Sequence, residues 1–146
     1  MAAHLELIFP GLCSSPYQVT SPEDDRYNCI AWAAGDTSRW WWPDLSGQRY
    51  WPPGVVVDET LTAFESAFAT LGYVRCSDAV LEPGFEKIAV LADVQQFPLH
   101  ASRQLPNGSW TSKLGELEDL NHELHAVEGT EYGSAVLFMK RSVIGS

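Results

Sequence analysis

A chain of 146 residues can bury about two-thirds of the surface its unfolded form exposes, so one domain over residues 1–146 accounts for it. Nine Lys and Arg against nineteen Asp and Glu give a formal charge of -10, which excludes a nucleic-acid partner held through its phosphates, because that affinity comes from basic side chains that displace counterions. An odd number of cysteines (Cys13, Cys29, Cys76), an N-terminus without a basic region and long apolar run, no stretch near the roughly 18 apolar residues of a membrane span and no zinc-type Cys/His spacing set the expectation of a reducing, cytoplasmic setting, with no membrane, metal or cofactor.

Residues 1–26 carry Pro10, Pro16 and Pro22 among Ser, Thr and Asp, and read as an irregular arm with one short strand near residues 5–9. Ser21-Pro22-Glu23-Asp24 is a helix-entry signal; Cys29, Ile30, Trp32 and Ala33 follow as an apolar face, and Gly35 stops the helix. Residues 40–53 mix turn formers with bulky rings and fit a packed surface loop that can wall a cleft. Leu61, Phe64, Phe68 and Leu71 recur at three- and four-residue intervals, which predicts a helix over residues 58–71, capped by Asp58 or Thr60, ended by Gly72 and packed on a sheet.

Strand-like runs follow at residues 73–76, 86–92, 99–105, 110–114 and 134–141, with Pro106-Asn107-Gly108 as a hairpin turn between the third and fourth. Residues 116–127 read as a further short helical or looped segment. The fold class is α+β: an N-terminal helix carrying Cys29, packed on a small antiparallel sheet carrying His100.

A nucleophilic thiol needs its pKa lowered, which the first turn of a helix does with unpaired N–H groups, and it needs an imidazole to take its proton. Cys29 opens a helix and His100 sits within a strand. Plain packing is the competing account of each, a small buried hydrophobe and a satisfied semi-buried histidine. Cys13 and Cys76 flank no helix start and read as packing residues, while His4, His122 and His125 fall in terminal or helical surface contexts.

The segment Tyr27-Asn28-Cys29-Ile30-Ala31-Trp32-Ala33, then His100-Ala101 with Arg103, Leu105-Pro106 and Gly108, then Trp110-Thr111-Ser112-Lys113-Leu114-Gly115 and finally Tyr132-Gly133, resembles the papain-like cysteine peptidase and amidase superfamily. It also looks like a small bacterial family of unknown function with the same runs. The resemblance spans roughly residues 20–140. It implies a papain-like fold and a Cys29–His100 dyad, with no substrate attached.

A third polar residue should hold the far nitrogen of the His100 ring. Hairpin geometry around Asn107-Gly108 puts Ser112 and Glu116 within reach of His100, and Asp119 is a further charged rival. Ser112 falls about a dozen residues after the His, as the third residue does in the minimal amidase branch. Asn28 is a candidate second oxyanion donor beside the Cys29 backbone N–H, with capping as its alternative role. The papain pattern departs here, because the region of its assisting Gln holds Glu23, Asp24 and Asp25. Trp41, Trp42 and Trp51 are candidates for an apolar substrate wall, with Arg39 and Arg49 stacked among the rings; core packing is the competing role of the tryptophans.

The expectation is a cysteine hydrolase or acyltransferase that acts on an amide or ester, with a peptide, amide or protein substrate, through a Cys29 thioester. The alternative is a catalytically silent binding or immunity-type module that holds a protein partner with its aromatic loop and acidic surface.

Overall fold

Ala89 and Leu91 alternate with Ile88 and Val90 along one strand, and all four are fully buried. Successive side chains of a strand point to opposite faces, so both faces of this sheet need cover. The computed structural model describes residues 3–114 and 117–143. Among them β1 (Tyr17–Ser21), β2 (Val74–Cys76), β3 (Phe85–Ala92), β4 (Pro98–Gln104), β5 (Trp110–Lys113), β6 (Asp119–His122) and β7 (Ser134–Ser142) form one antiparallel sheet. Its order is β1-β6-β5-β4-β3-β7-β2. Helices α1 (Ala3–Ile8), α2 (Cys29–Ala34) and α3 (Leu61–Ala69) and two 3-10 turns, Pro10–Cys13 and Leu124–Val127, make the fold α+β. Among the described residues no helix is long and apolar enough to cross a membrane.

One face of the sheet, with Ile88, Val90, Ala101, Leu137 and Met139, packs on α2, on Phe64 and Phe68 of α3 and on Trp41. The other face, with Ala89, Leu91, Trp110 and Leu120, packs on Leu5 of α1, on Phe9 and Leu12 and on the second 3-10 turn. Burying rings such as Phe64 and Phe68 contributes roughly 1.5–3 kcal/mol each.

Six residues are too few for a stable isolated helix, so α2 owes its existence to its ends and its buried face. At the start, Asn28 Oδ1 accepts from the Ala31 N–H at 3.1 Å; at the end, Gly35 adopts φ +84° and its N–H donates to the Ala31 and Trp32 carbonyls. In α3 the cap is Thr60, whose side chain accepts from the Ala63 N–H at 3.2 Å.

The β4–β5 turn holds only Gly108 in the left-handed region, at φ +91°, with its N–H on the Leu105 carbonyl at 2.9 Å. The paired register is Gln104↔Trp110 and Arg103↔Thr111. The paired register does not extend from Arg103 toward the start of β4, and α2 packs against both strands.

Three expectations are corrected. Residues 3–8 form a helix where a strand was expected at 5–9, because Leu5 is buried while His4 and Leu7 point to solvent. The arm is also less irregular than expected, since β1 pairs with β6 through Tyr17↔His122 and Val19↔Leu120. Within residues 116–127 the chain forms β6 and a 3-10 turn: a four-residue strand is stable here because it is paired on both sides, by β1 and β5.

Candidate functional site

Cys29 opens α2 and is 5% exposed. Backbone N–H groups of Ala101, Ile30 and Cys29 itself lie near enough to favour its thiolate. Ala101 is the neighbour of His100 in β4, so the thiol at the start of α2 lies close to that strand. Burial is the largest influence on this thiol and pushes it up to about 11; the three N–H groups and the charge of Lys113 oppose that rise.

His100 is fully buried in β4. Its Nε2 lies 3.0 Å from Ser112 Oγ, while its Nδ1 has no hydrogen-bond partner among the described residues. Burial first, and the charge of His122 second, hold its pKa well below the usual histidine value. Tyr132 lies flat on the imidazole, with centroids 4.0 Å apart and planes at 8°. A tight loop closed by paired backbone hydrogen bonds between Gly129 and Gly133 carries that ring. No hydrogen bond joins Cys29 to His100 in the structure.

Of the three candidates to orient His100, Ser112 is the one the sheet brings to it. Asp119 is also fully buried, but its Oδ2 accepts from Tyr27 Oη at 2.9 Å and from the Ser21 hydroxyl and so fastens the segment before α2 to β6, while its Oδ1 has no hydrogen-bond partner among the described residues. Glu116 lies outside the described residues.

His122 was expected on the surface and is instead 2% exposed on β6. Its Nε2 lies 2.6 Å from Ser112 Oγ and its Nδ1 2.6 Å from the Glu123 carbonyl, and Ser102 Oγ also meets Ser112 Oγ, at 2.7 Å. Burial lowers His122 to about 4. The signal that could have found it is the alternation in Asp119-Leu120-Asn121-His122, which puts His122 on the face of the buried Leu120.

A cavity of about 330 Å³ opens on the thiol, lined by Asn28, Cys29, Trp40, Trp42, Leu99 and Tyr132. Of the tryptophans expected to bind substrate, Trp42 is in this wall, and Trp40 joins it. Trp41 and Trp51 are elsewhere. Trp41 is 4% exposed, packs on Tyr50 and donates its indole N–H to Asp36 at 2.8 Å; Trp51 packs on Phe64 and donates to the Val56 carbonyl at 2.9 Å. A large indole with a polar N–H is satisfied by an acceptor and a packed face, and the loop supplies both.

Asn28, expected as an oxyanion donor, instead has its carboxamide held between the helix and the loop. Nδ2 donates to the Trp41 carbonyl at 2.7 Å and Oδ1 accepts from the Ala31 and Trp41 N–H groups. Arg39 lies over the Tyr50 ring while bonded to Asp36, and Arg49 lies over Trp40. Cys13 is exposed, so it does not pack as expected. His4, Glu23 and Glu118 bring ligand atoms within 4.8 Å of one another, but include no residue of the cavity at Cys29.

A family model described as a domain of unknown function (DUF7689) matches residues 18–140, from β1 to β7. No curated protein and no solved structure matches the chain.

Proposed function

The chain belongs to the DUF7689 family, whose description assigns no function, and from that premise we propose that it is a papain-like cysteine hydrolase or acyltransferase working through Cys29 and His100. The observation that carries this reading is the state of the His100 ring: Nε2 is engaged by Ser112, while Nδ1 is buried and unpartnered, on the residue next to Ala101, whose backbone N–H acts on the Cys29 thiol. A buried ring nitrogen without a partner costs stability, of order 1–3 kcal/mol, and a thiol proton to receive is a reason to keep it.

In the reaction the thiol proton passes to His100 Nδ1 as the sulfur attacks the carbonyl carbon of an amide or ester. The Cys29 backbone N–H is the donor at hand for the oxyanion. Collapse expels an amine or alcohol that takes the proton back from Nδ1, leaving a Cys29 thioester, which water or a second amine resolves. Because burial raises the thiol and lowers the imidazole, the resting pair is neutral, and proton transfer accompanies attack instead of preceding it. Trp40, Trp42, Leu99 and Tyr132 favour an apolar group next to the scissile carbonyl.

A second reading, a silent module that binds a protein partner, draws on one observation: no hydrogen bond joins the thiol to His100, and both are shifted toward their uncharged forms. Activated p-nitrophenyl esters of short apolar acids separate the two. The enzyme gains one acyl mass on Cys29, by intact-mass and peptide analysis, and Cys29→Ala gains none. No acylation of Cys29 by any ester supports the silent module.

A further inference from the structure

Ser112 has one proton and two lone pairs, and three groups meet its oxygen: His100 Nε2 at 3.0 Å, Ser102 Oγ at 2.7 Å and His122 Nε2 at 2.6 Å. A hydroxyl can donate only once, so two of the three must donate to it. His122 decides which. Its Nδ1 lies 2.6 Å from the Glu123 carbonyl, which can only accept, so that nitrogen carries the proton. In a neutral imidazole the other nitrogen is then a bare acceptor, and Ser112 must donate to it. With its proton committed, Ser112 can only accept from Ser102 Oγ and from His100 Nε2. His100 therefore carries its proton on Nε2, and Nδ1 is left as a lone pair.

We propose that His122 is a positioning residue that acts through Ser112 to fix His100 in the Nε2–H tautomer, keeping Nδ1 free to receive a proton. All four side chains are buried, at 2% exposure or less, so water does not compete for these hydrogen bonds. Burial also keeps His122 neutral near pH 7. The link to catalysis rests on the reading of Cys29 and His100 given above, whereas the tautomer follows from the hydrogen bonds alone.

Long-range 15N–1H correlation spectra distinguish the two imidazole tautomers. At pH 7 the His100 ring, assigned through its loss in His100→Gln, shows the Nε2–H pattern alone. In His122→Leu the Ser112 proton is released and the Nδ1–H pattern grows in. His122→Gln, whose side-chain carbonyl can accept from Ser112, restores the original pattern. In parallel, the alkylation of Cys29 falls several-fold in His122→Leu, by no more than in His100→Gln, and recovers in His122→Gln.

An Nδ1–H pattern in the unaltered protein, or an unchanged pattern in a folded His122→Leu, overturns the proposal. If His122→Leu does not fold, the unaltered protein and His122→Gln still decide it. Nε2–H spectra with a Cys29 that does not depend on His100 would refute the dyad and leave the tautomer inference standing.

Discussion

The ring of Tyr132 lies parallel to that of His100, 4.0 Å away, although Tyr132 belongs to a loop and His100 to the middle of the sheet. Gly133 makes this contact possible. It adopts φ +71°, and a Cβ there would overlap the Ala92 carbonyl oxygen, so the loop lies closer to β3 than any other residue allows. Gly133→Ala should cost about 1–2 kcal/mol for the left-handed backbone alone, with the overlap in addition, and should displace Tyr132. Urea denaturation gives the stability loss, and Cys29 acylation should fall with it. A Gly133→Ala protein of unchanged stability would contradict the close approach.

Acid should destabilise this fold in a window set by its buried histidines. An unfolded histidine titrates near 6.5 and folded His122 at about 4, so between these values the unfolded chain binds the extra proton. Stability is therefore full above pH 6.5 and is lost as pH falls toward 4, with a slope of up to about 1.4 kcal/mol per pH unit for each such proton. His100 shifts in the same direction and steepens the slope. Carboxylates whose pKa is depressed, such as Asp36, add their loss only as pH drops through the ordinary Asp value of 3.8. Denaturation midpoints between pH 7 and 5 check this: the unaltered protein should lose stability across the range, and His122→Leu should lose less.

Asn28 holds α2 and the aromatic loop with one carboxamide. Asn28→Ala removes the cap, which costs about 0.5–2 kcal/mol, together with both contacts to the Trp41 backbone. The expected result is a lower denaturation midpoint and a cavity that no longer retains apolar esters, read as a rise in KM. Because Asn28 already has partners at both ends, kcat should fall less than in His100→Gln.

Ser112 and Asp119 have different jobs and should separate on substitution. Ser112→Ala leaves the His100 and His122 ring nitrogens without their shared partner, costs about 1–3 kcal/mol and slows acylation of Cys29. Asp119→Asn weakens the hold on Tyr27 and Ser21 and so lowers stability, but leaves the dependence of Cys29 on His100 intact. Comparing denaturation with acylation rates in the two variants tests this; an Asp119→Asn protein that is stable but slow would reverse the assignment.

Much of this arrangement is legible in the sequence because local signals and burial agree. Phe64 and Phe68 mark α3 by their spacing, Asn28 and Gly35 bracket α2, and the apolar run from Ile88 to Leu91 announces a strand covered on both faces. The sequence also brings Ser112 to His100, since a hairpin turning near Gly108 sets the register between the two strands. What it conceals depends on distant partners. β1 is an edge strand with mostly exposed side chains and exists through its pairing with β6, about a hundred residues away in the chain. His122 reads as an ordinary surface histidine until that pairing buries it. Trp41, Trp42 and Trp51 are equivalent as letters, and only the packing of Phe64, Tyr50 and Asp36 determines that Trp42 alone of the three lines the cavity.

The dependence of Cys29 on His100 is tested most directly by alkylation with iodoacetamide across pH 6 to 9, read residue by residue by mass spectrometry. A thiol pushed up to about 11 and left to itself reacts slowly throughout this range, whereas His100 as its base gives Cys29 a measurable rate near neutrality. The expected result is a Cys29 rate that falls at least about tenfold in His100→Gln, with Cys13 unchanged in the same protein. A Cys29 rate that is the same with and without His100 would contradict the account.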